Sequence, residues 1–250
     1  MGRPSEEENL DRIVKKLAKI GGWVNNHLPC DYLVLDVETT GFSSVDNRVA
    51  SVGFCAVKGC EVVQDIHSGQ SANIIIKWPA ETFVGCEKAI EIHGIDYDKS
   101  QRDGVEPATA MMILSDAIEW ARSQGMYIVG HNLLKFDMPF LGMEMSRAGI
   151  NNRIKCQEVV DTHALVKAMQ LGMLPGDDES VSDYFNRVMN FRAKGVFSNL
   201  EHYCIDRFEL RQKYGVDSTS AHDSGYDCWL THLVLQELNE MIGFTSKVPW

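Results

Sequence analysis

The chain of 250 residues is short of positive charge: 24 Lys and Arg stand against 35 Asp and Glu, a formal net charge of −11 at pH 7. That balance excludes a protein gripping nucleic acid through a broad basic footprint, which depends on neutralising phosphates with side-chain cations. It does not exclude one that carries its positive charge as bound metal ions. Long apolar runs are missing too; nothing approaches the roughly 18 to 20 consecutive apolar residues that a membrane span requires. Residues 1–8 are polar and acidic, unlike a secretory signal. Glu6 stands where a myristoylation motif needs Ser or Thr. The seven cysteines include no Cys-x-x-Cys pair and are odd in number, which argues against a clustered zinc site and a disulfide framework. Free thiols in a cytoplasmic protein are the expectation. Repeats and low-complexity tracts are absent, and 44% hydrophobic with 24% charged residues is ordinary globular composition.

What is present has a clear order. Ser5 and Glu8 form a capping box ahead of Leu10, Ile13, Val14 and Leu17, so residues 5–20 read as an amphipathic helix stopped at Gly21-Gly22. Docking on the body is the simple use of its apolar face, and a protein partner or dimer contact is the alternative. Tyr32–Glu38 is an apolar run of strand length; Arg48–Val57 and Glu61–Ile66 flank a Lys58-Gly59 turn as a hairpin, and Asn73–Lys77 is extended. Helices are predicted from Pro107 to Arg122, from Met138 to Arg147 and through Met169, with short strands at Tyr127–Gly130 and Val159-Val160. A lobe is expected at about 172–197. Ser198 to Glu201 reads as another capping box, and a last helix starts near Ser220. Strands followed by alternating elements predict an α/β fold, a mixed sheet flanked by helices. The domain reading is an extension at 1–30, a catalytic domain at 31–240 and a tail at 241–250.

The chemistry concentrates at Asp36 and Glu38. Residues i and i+2 of a strand share a face, so both carboxylates project together from an otherwise apolar run. Buried charges need a partner, and two carboxylates repel each other. Their oxygen donors suit a hard divalent ion, Mg²⁺ or Mn²⁺, although the pair taken alone fits a structural hydrogen-bonding role equally well. Further along come Gly130-His131-Asn132, Phe136-Asp137 and, five residues apart, His222 and Asp227.

Asp36-Val37-Glu38-Thr39-Thr40-Gly41, His131-Asn132 through Phe136-Asp137, and His222 with Asp227 resemble the three motifs of the DEDD-type, DnaQ-like 3′→5′ exonucleases, with the histidine of the DEDDh branch. Ile92-His93-Gly94-Ile95 and Val159-Val160-Asp161-Thr162 add two lesser similarities. The resemblance spans about residues 31–240 and implies a ribonuclease-H-like fold with a mixed five-stranded sheet. It implies that Asp36, Glu38, Asp137 and Asp227 hold two divalent ions, with His222 as general base. Four carboxylates roughly neutralise two dications, and such ions can clamp an in-line phosphoryl transfer. Thr39, Thr40, Gly41, Phe42, His93, Asn132 and Phe136 are the candidate substrate contacts, while Asp161 reads as a helix-start carboxylate. Ser224 and Gly225 depart from the alanines usual near the last aspartate.

The expected substrate is a nucleic-acid 3′ end, with single-stranded or frayed DNA favoured and RNA possible, because motif residues do not read the sugar. An exoribonuclease or oligoribonuclease is the same-class alternative. A proofreading or polymerase-docking module is the alternative from another class, and the intact acidic set argues against it. Residues 181–213 carry six Lys and Arg (Arg187, Arg192, Lys194, Arg207, Arg211, Lys213) against four Asp and Glu, a local basic window suited to a short strand end.

Overall fold

A computed structural model describes residues 4–22, 27–62, 72–216 and 222–241. Its strands are β1 (Tyr32–Thr39), β2 (Val49–Lys58), β3 (Glu61–Val62), β4 (Ala72–Ile75), β5 (Tyr127–Gly130) and β6 (Val159–Asp161). The sheet runs β3-β2-β1-β5-β6, and β4 lies along β2 as β3 does. Six strands therefore occupy five positions. β1 pairs antiparallel with β2 and parallel with β5, and β5 is parallel to β6, so the sheet is mixed as expected. The β2–β3 turn places Gly59 and Cys60 at φ 57° and 67°, the two left-handed positions of a tight hairpin. Of the strand expected at Glu61–Ile66, residues 63–66 lie outside the described residues.

The helices are α1 (Glu6–Ile20), α2 (Glu87–His93), α3 (Tyr97–Asp103), α4 (Pro107–Ser123), α5 (Asp137–Arg147), α6 (Thr162–Leu171), α7 (Val181–Asn190), α8 (Ile205–Arg207), α9 (Leu210–Tyr214) and α10 (Ser224–Met241). Two apolar clusters sandwich the sheet. Leu33, Leu35 and Val37 of β1 pack with Met111, Leu114 and Ile118 of α4 and with Phe140 and Leu141 of α5. Tyr32 and Val34 join the other cluster, with α1, α6, α7 and α10. Both faces of β1 and β2 are covered, which is why their sequences are apolar runs rather than alternating ones.

Three expectations are corrected. The helix at 5–20 has its capping box, but Leu10, Ile13, Val14 and Leu17 are fully buried in the chain's own core, so the apolar face offered to a partner or dimer is already covered. No capping box forms at 198–201: Asn199 is the cap of a single π-helical turn, Leu200–Cys204, with no side-chain bond, because Ser198 is buried with its carbonyl held by His131. The last helix begins at Ser224 rather than near Ser220, and Ser220 itself lies outside the described residues. Tyr184, Phe185 and Val188 of α7, in the stretch read as a lobe, are wholly buried in the same cluster as α6 and α10. All seven cysteines are free thiols. Among the described residues no helix is long and apolar enough to cross a membrane.

Candidate active site

The face that carries Tyr32 and Val34 continues, two residues at a time, to Asp36 and Glu38. Both are therefore aimed at the layer containing α10. Past Val34 the pairing of β1 with β5 ends, which leaves the Val37 N–H without a strand partner. Asp137, the first residue of α5, supplies the acceptor: its Oδ1 takes the Val37 N–H at 2.9 Å. On the other side of β1 the register with β2 slips between Glu38 and Thr39. Such bulges re-aim side chains at sheet ends.

α10 reaches the carboxylates because β2 lets it come close. A Cβ on Gly53, which pairs with Asp36 across the strands, would lie 2.1 Å from the Ser224 carbonyl oxygen. Small side chains complete the join: Ser51 and Ser224 share a hydrogen bond of 3.0 Å, and Ser224 donates to Asn73 at 3.1 Å. Asn73 also donates to Asp223. Asp223 caps α10, taking the Tyr226 N–H on its carboxylate and the Asp227 N–H on its carbonyl. Ser224 in place of the usual alanine is thus a hydrogen-bonding residue of the joint. His222 precedes the cap at φ 70°, an uncommon conformation for a residue with a Cβ. One donor atom each from Glu38, His222 and Asp227 lies within 4.8 Å of the others. Asp36 and Asp137 lie outside that compact set, Asp137 because its carboxylate is turned to the Val37 N–H.

Gly53→Ala is expected to lower stability by about 1–3 kcal/mol through overpacking. Gly142→Ala, mid-α5 with no atom within 4 Å of the added Cβ, should raise it by about 0.5–1 kcal/mol. Urea unfolding midpoints check both, and equal behaviour at the two positions would contradict the close approach of α10.

The electrostatics favour a cation. Burial pushes the Asp36 carboxyl well above its ordinary range, and Asp137, Asp227, Glu38 and Asp223 push it the same way. Asp137 is raised to about 7, chiefly by burial, against the pull of its N–H bonds and with a further push from Asp161 and Asp227. The four charged groups acting on Asp36 are all carboxylates and all push in one direction. A cluster of oxygen donors with mutual repulsion and one imidazole fits a hard divalent ion.

A cleft of about 560 Å³ opens beside the set, lined by Glu38, Thr39, Thr40, Gly41, Phe42, His93 and Phe136 together with residues of α2. Phe42 is 89% exposed, with its ring 6.5 Å from that of Phe136, which packs 5.2 Å from Phe140. Gly41 has no room for a Cβ beside the Asn47 amide. Thr40 and Arg48 close the loop through two hydrogen bonds, of 2.9 and 3.0 Å. His93 lines the cleft with both ring nitrogens engaged by backbone. Nδ1 accepts from the Ile95 N–H at 3.0 Å, so Nε2 donates to the Thr39 carbonyl at 3.2 Å. Burial holds this ring below the ordinary histidine range. It positions Thr39 and has no free nitrogen for a substrate.

Asn132 does not line the cleft. Its left-handed backbone, φ 68°, turns its N–H onto Asp161. The buried Asp161 carboxylate also accepts from Leu134 and Ala164, the helix-start role expected of it. His131 Nε2 donates to the Ser198 carbonyl at 2.6 Å, and burial pushes its pKa down to about 3, so the ring is neutral. Gly53, Ser51, Asn73 and Asp223 carried no signal in the sequence, because their partners are distant in the chain.

The basic window proves to be mostly engaged. Arg187 pairs with Glu179, Arg207 with Glu6, Arg211 with Asp206 and Lys213 with Glu237. Only Arg192 and Lys194 of the six have no ion pair among the described residues.

The sequence model of a family described as Exonuclease matches residues 33–235. Solved structures with the same fold include E. coli exonuclease I in a zinc-bound complex with single-stranded DNA, at a TM-score of 0.60 and 17% identity over 84% of this chain and 40% of that one. They also include E. coli exonuclease I with a dA16 oligonucleotide, at 0.61 and 17% over 86% and 42%. A further structure of exonuclease I, one that suggests how processivity is achieved, gives 0.61 and 17% over 86% and 43%. This chain therefore spans about two fifths of the length of those proteins. No curated protein sequence matches it.

Proposed function

For a chain that belongs to the exonuclease family, of the DEDDh, DnaQ-like type, we propose metal-dependent 3′→5′ hydrolysis of phosphodiester bonds at single-stranded or frayed DNA ends. The observation that carries this reading is the convergence of Glu38, His222 and Asp227 within 4.8 Å, beside Asp36 and a cleft faced by two aromatic rings. Two Mg²⁺ or Mn²⁺ ions on Asp36, Glu38, Asp137 and Asp227 would lower the pKa of a bound water and neutralise charge on the scissile phosphate. The imidazole of His222 takes the proton from the attacking water as general base. The backbone from Thr39 to Gly41, held by His93 and by the Thr40–Arg48 bonds, orients the terminal nucleotide. Phe42 and Phe136 offer faces for its base, a contact worth about 1–3 kcal/mol that accepts any base. A lone exposed ring at the rim favours an unpaired end over duplex. The DNA bound to exonuclease I in the similar structures supports the same substrate class.

The test uses end-labelled DNA and RNA oligonucleotides, single- and double-stranded, with Mg²⁺, Mn²⁺ or EDTA. A ladder shortening from the 3′ end of single-stranded DNA, abolished by EDTA, is the expected result. Full activity in EDTA would refute it, and faster loss of RNA would convert the enzyme into an exoribonuclease.

A further inference from the structure

Residues 184–200 contain no acidic side chain, although the chain as a whole is strongly acidic. The stretch covers most of α7 and the loop after it, where Phe191 and Phe197 are 48% and 63% exposed, with Arg192 and Lys194 between them also exposed. Exposed phenylalanines alternating with cations are costly for a surface that does nothing, since both rings face water. The loop is also fixed at both ends to the segment that precedes Asp137. At one end Lys135 Nζ donates to the Asn190 side chain at 2.8 Å; at the other, His131 Nε2 donates to the Ser198 carbonyl at 2.6 Å. Gln170 pins Phe197 through its carbonyl and its N–H. Lys135 is exposed and adjoins Phe136, which lines the cleft.

From this juxtaposition we propose that the loop at 191–197, with Lys135, is a ledge for the single strand whose 3′ end occupies the cleft. Arg192, Lys194 and Lys135 contact phosphates upstream of the terminal nucleotide, and Phe191 and Phe197 stack on bases. Charge complementarity selects the occupant: a polyanion with aromatic faces matches cations interleaved with rings, and no acidic residue within the stretch repels it. Anchoring to the Asp137 segment gives the ledge a fixed register with the cleft. The proposal rests on the exonuclease reading of that cleft, and it adds a binding role that none of the acidic motif residues supplies.

The experiment compares the wild-type protein with R192A/K194A and with F191A/F197A. Binding of a fluorescein-labelled single-stranded DNA of about 16 nucleotides is followed by anisotropy in EDTA over a salt series, and hydrolysis in Mg²⁺ of that oligomer is compared with a dinucleotide. Loss of two phosphate contacts should flatten the slope of log Kobs against log salt by about 1.4. Loss of the two rings should weaken binding at least about thirtyfold with the slope unchanged. Both variants should cut the dinucleotide at the wild-type rate and the oligomer with a raised KM. Unchanged affinity and slope in both variants, or equal loss on both substrates, would overturn the ledge while leaving the exonuclease intact. Salt-dependent binding by a wild-type protein that hydrolyses nothing would overturn the exonuclease reading while leaving the ledge. Capture of an acidic peptide in preference to the oligonucleotide would assign the surface to a protein partner and overturn the proposal.

Discussion

Asp36→Asn is expected to lower hydrolysis by at least about a thousandfold and, in the metal-free protein, to raise the melting temperature. The two effects share one cause. Asp36 stands among Asp137, Asp227, Glu38 and Asp223, each of which disfavours its charge, and burial disfavours it further. An uncharged amide of the same shape removes those repulsions and one desolvation cost. It also removes an oxygen donor from the set that a dication needs. Activity and stability therefore move in opposite directions, as at sites where function is held against the preference of the fold. Thermal unfolding in EDTA with the 3′-end ladder assay in Mg²⁺ measures both. The alternative that the sequence leaves open, a pair of structural hydrogen-bonding carboxylates, predicts the reverse for stability. An acceptor turned partly into a donor against a backbone N–H should cost about 1–3 kcal/mol. A fall in melting temperature would select that alternative.

The site was legible in the sequence where its logic is local. The two-residue period of β1 puts Asp36 and Glu38 on the face that begins with Tyr32 and Val34, and the apolar run marks a strand covered on both sides. The interval from His222 to Asp227 is local too, although the structure sets His222 in a left-handed turn ahead of α10 and only Asp227 within its first turn. What was not legible depends on contacts across the chain. Gly53 is one glycine in a buried strand until the Ser224 carbonyl is seen where its Cβ would stand. The capping pattern at 198–201 fails because a distant ring, His131, holds the Ser198 carbonyl. The basic window looks cationic by count, yet most of its charges are matched by acids from elsewhere, Glu6 and Glu237 among them. His93 lines the cleft, and that both its nitrogens serve backbone is a matter of geometry alone.

The stability that Mg²⁺ adds should grow as pH rises from about 4 to about 7, because over that window the acidic set of a metal-free sample contributes less and less to folding. The sign follows from linkage. Asp137 keeps its proton in the folded state up to about pH 7, from an ordinary value of 3.8, so between those limits the folded state holds more protons than the unfolded chain. The share of stability owed to each such group then falls with rising pH, by about 1.4 kcal/mol per unit. Asp36 is shifted in the same direction. Glu158 and Glu179, lowered by burial-opposed pairing with Arg122 and Arg187, act oppositely, and so do the rings of His131, His163 and His232, which burial pushes down to about 3, 4 and 4. The two glutamates' contribution is lost as pH falls below the ordinary value of 4.5, outside most of the window, whereas the rings' contribution rises with pH up to about 6.5 and is the same in EDTA and in Mg²⁺, so the acidic set is read from the difference between the two. A dication binds the ionised carboxylates and must displace their protons, so its stabilisation grows with pH. Asp161 supplies an internal control. Burial pushes it up to about 6, but its oxygens are held by the N–H groups of Asn132, Leu134 and Ala164, so its share of the slope should persist in Mg²⁺. Urea unfolding at intervals from pH 4 to 8, in EDTA and in Mg²⁺, resolves the two parts. Asp137→Asn should remove that residue's share of the slope between about 6 and 7 together with much of the Mg²⁺ effect. If Mg²⁺ stabilises that variant as strongly as the wild type, the ion binds elsewhere and the acidic set is not its site.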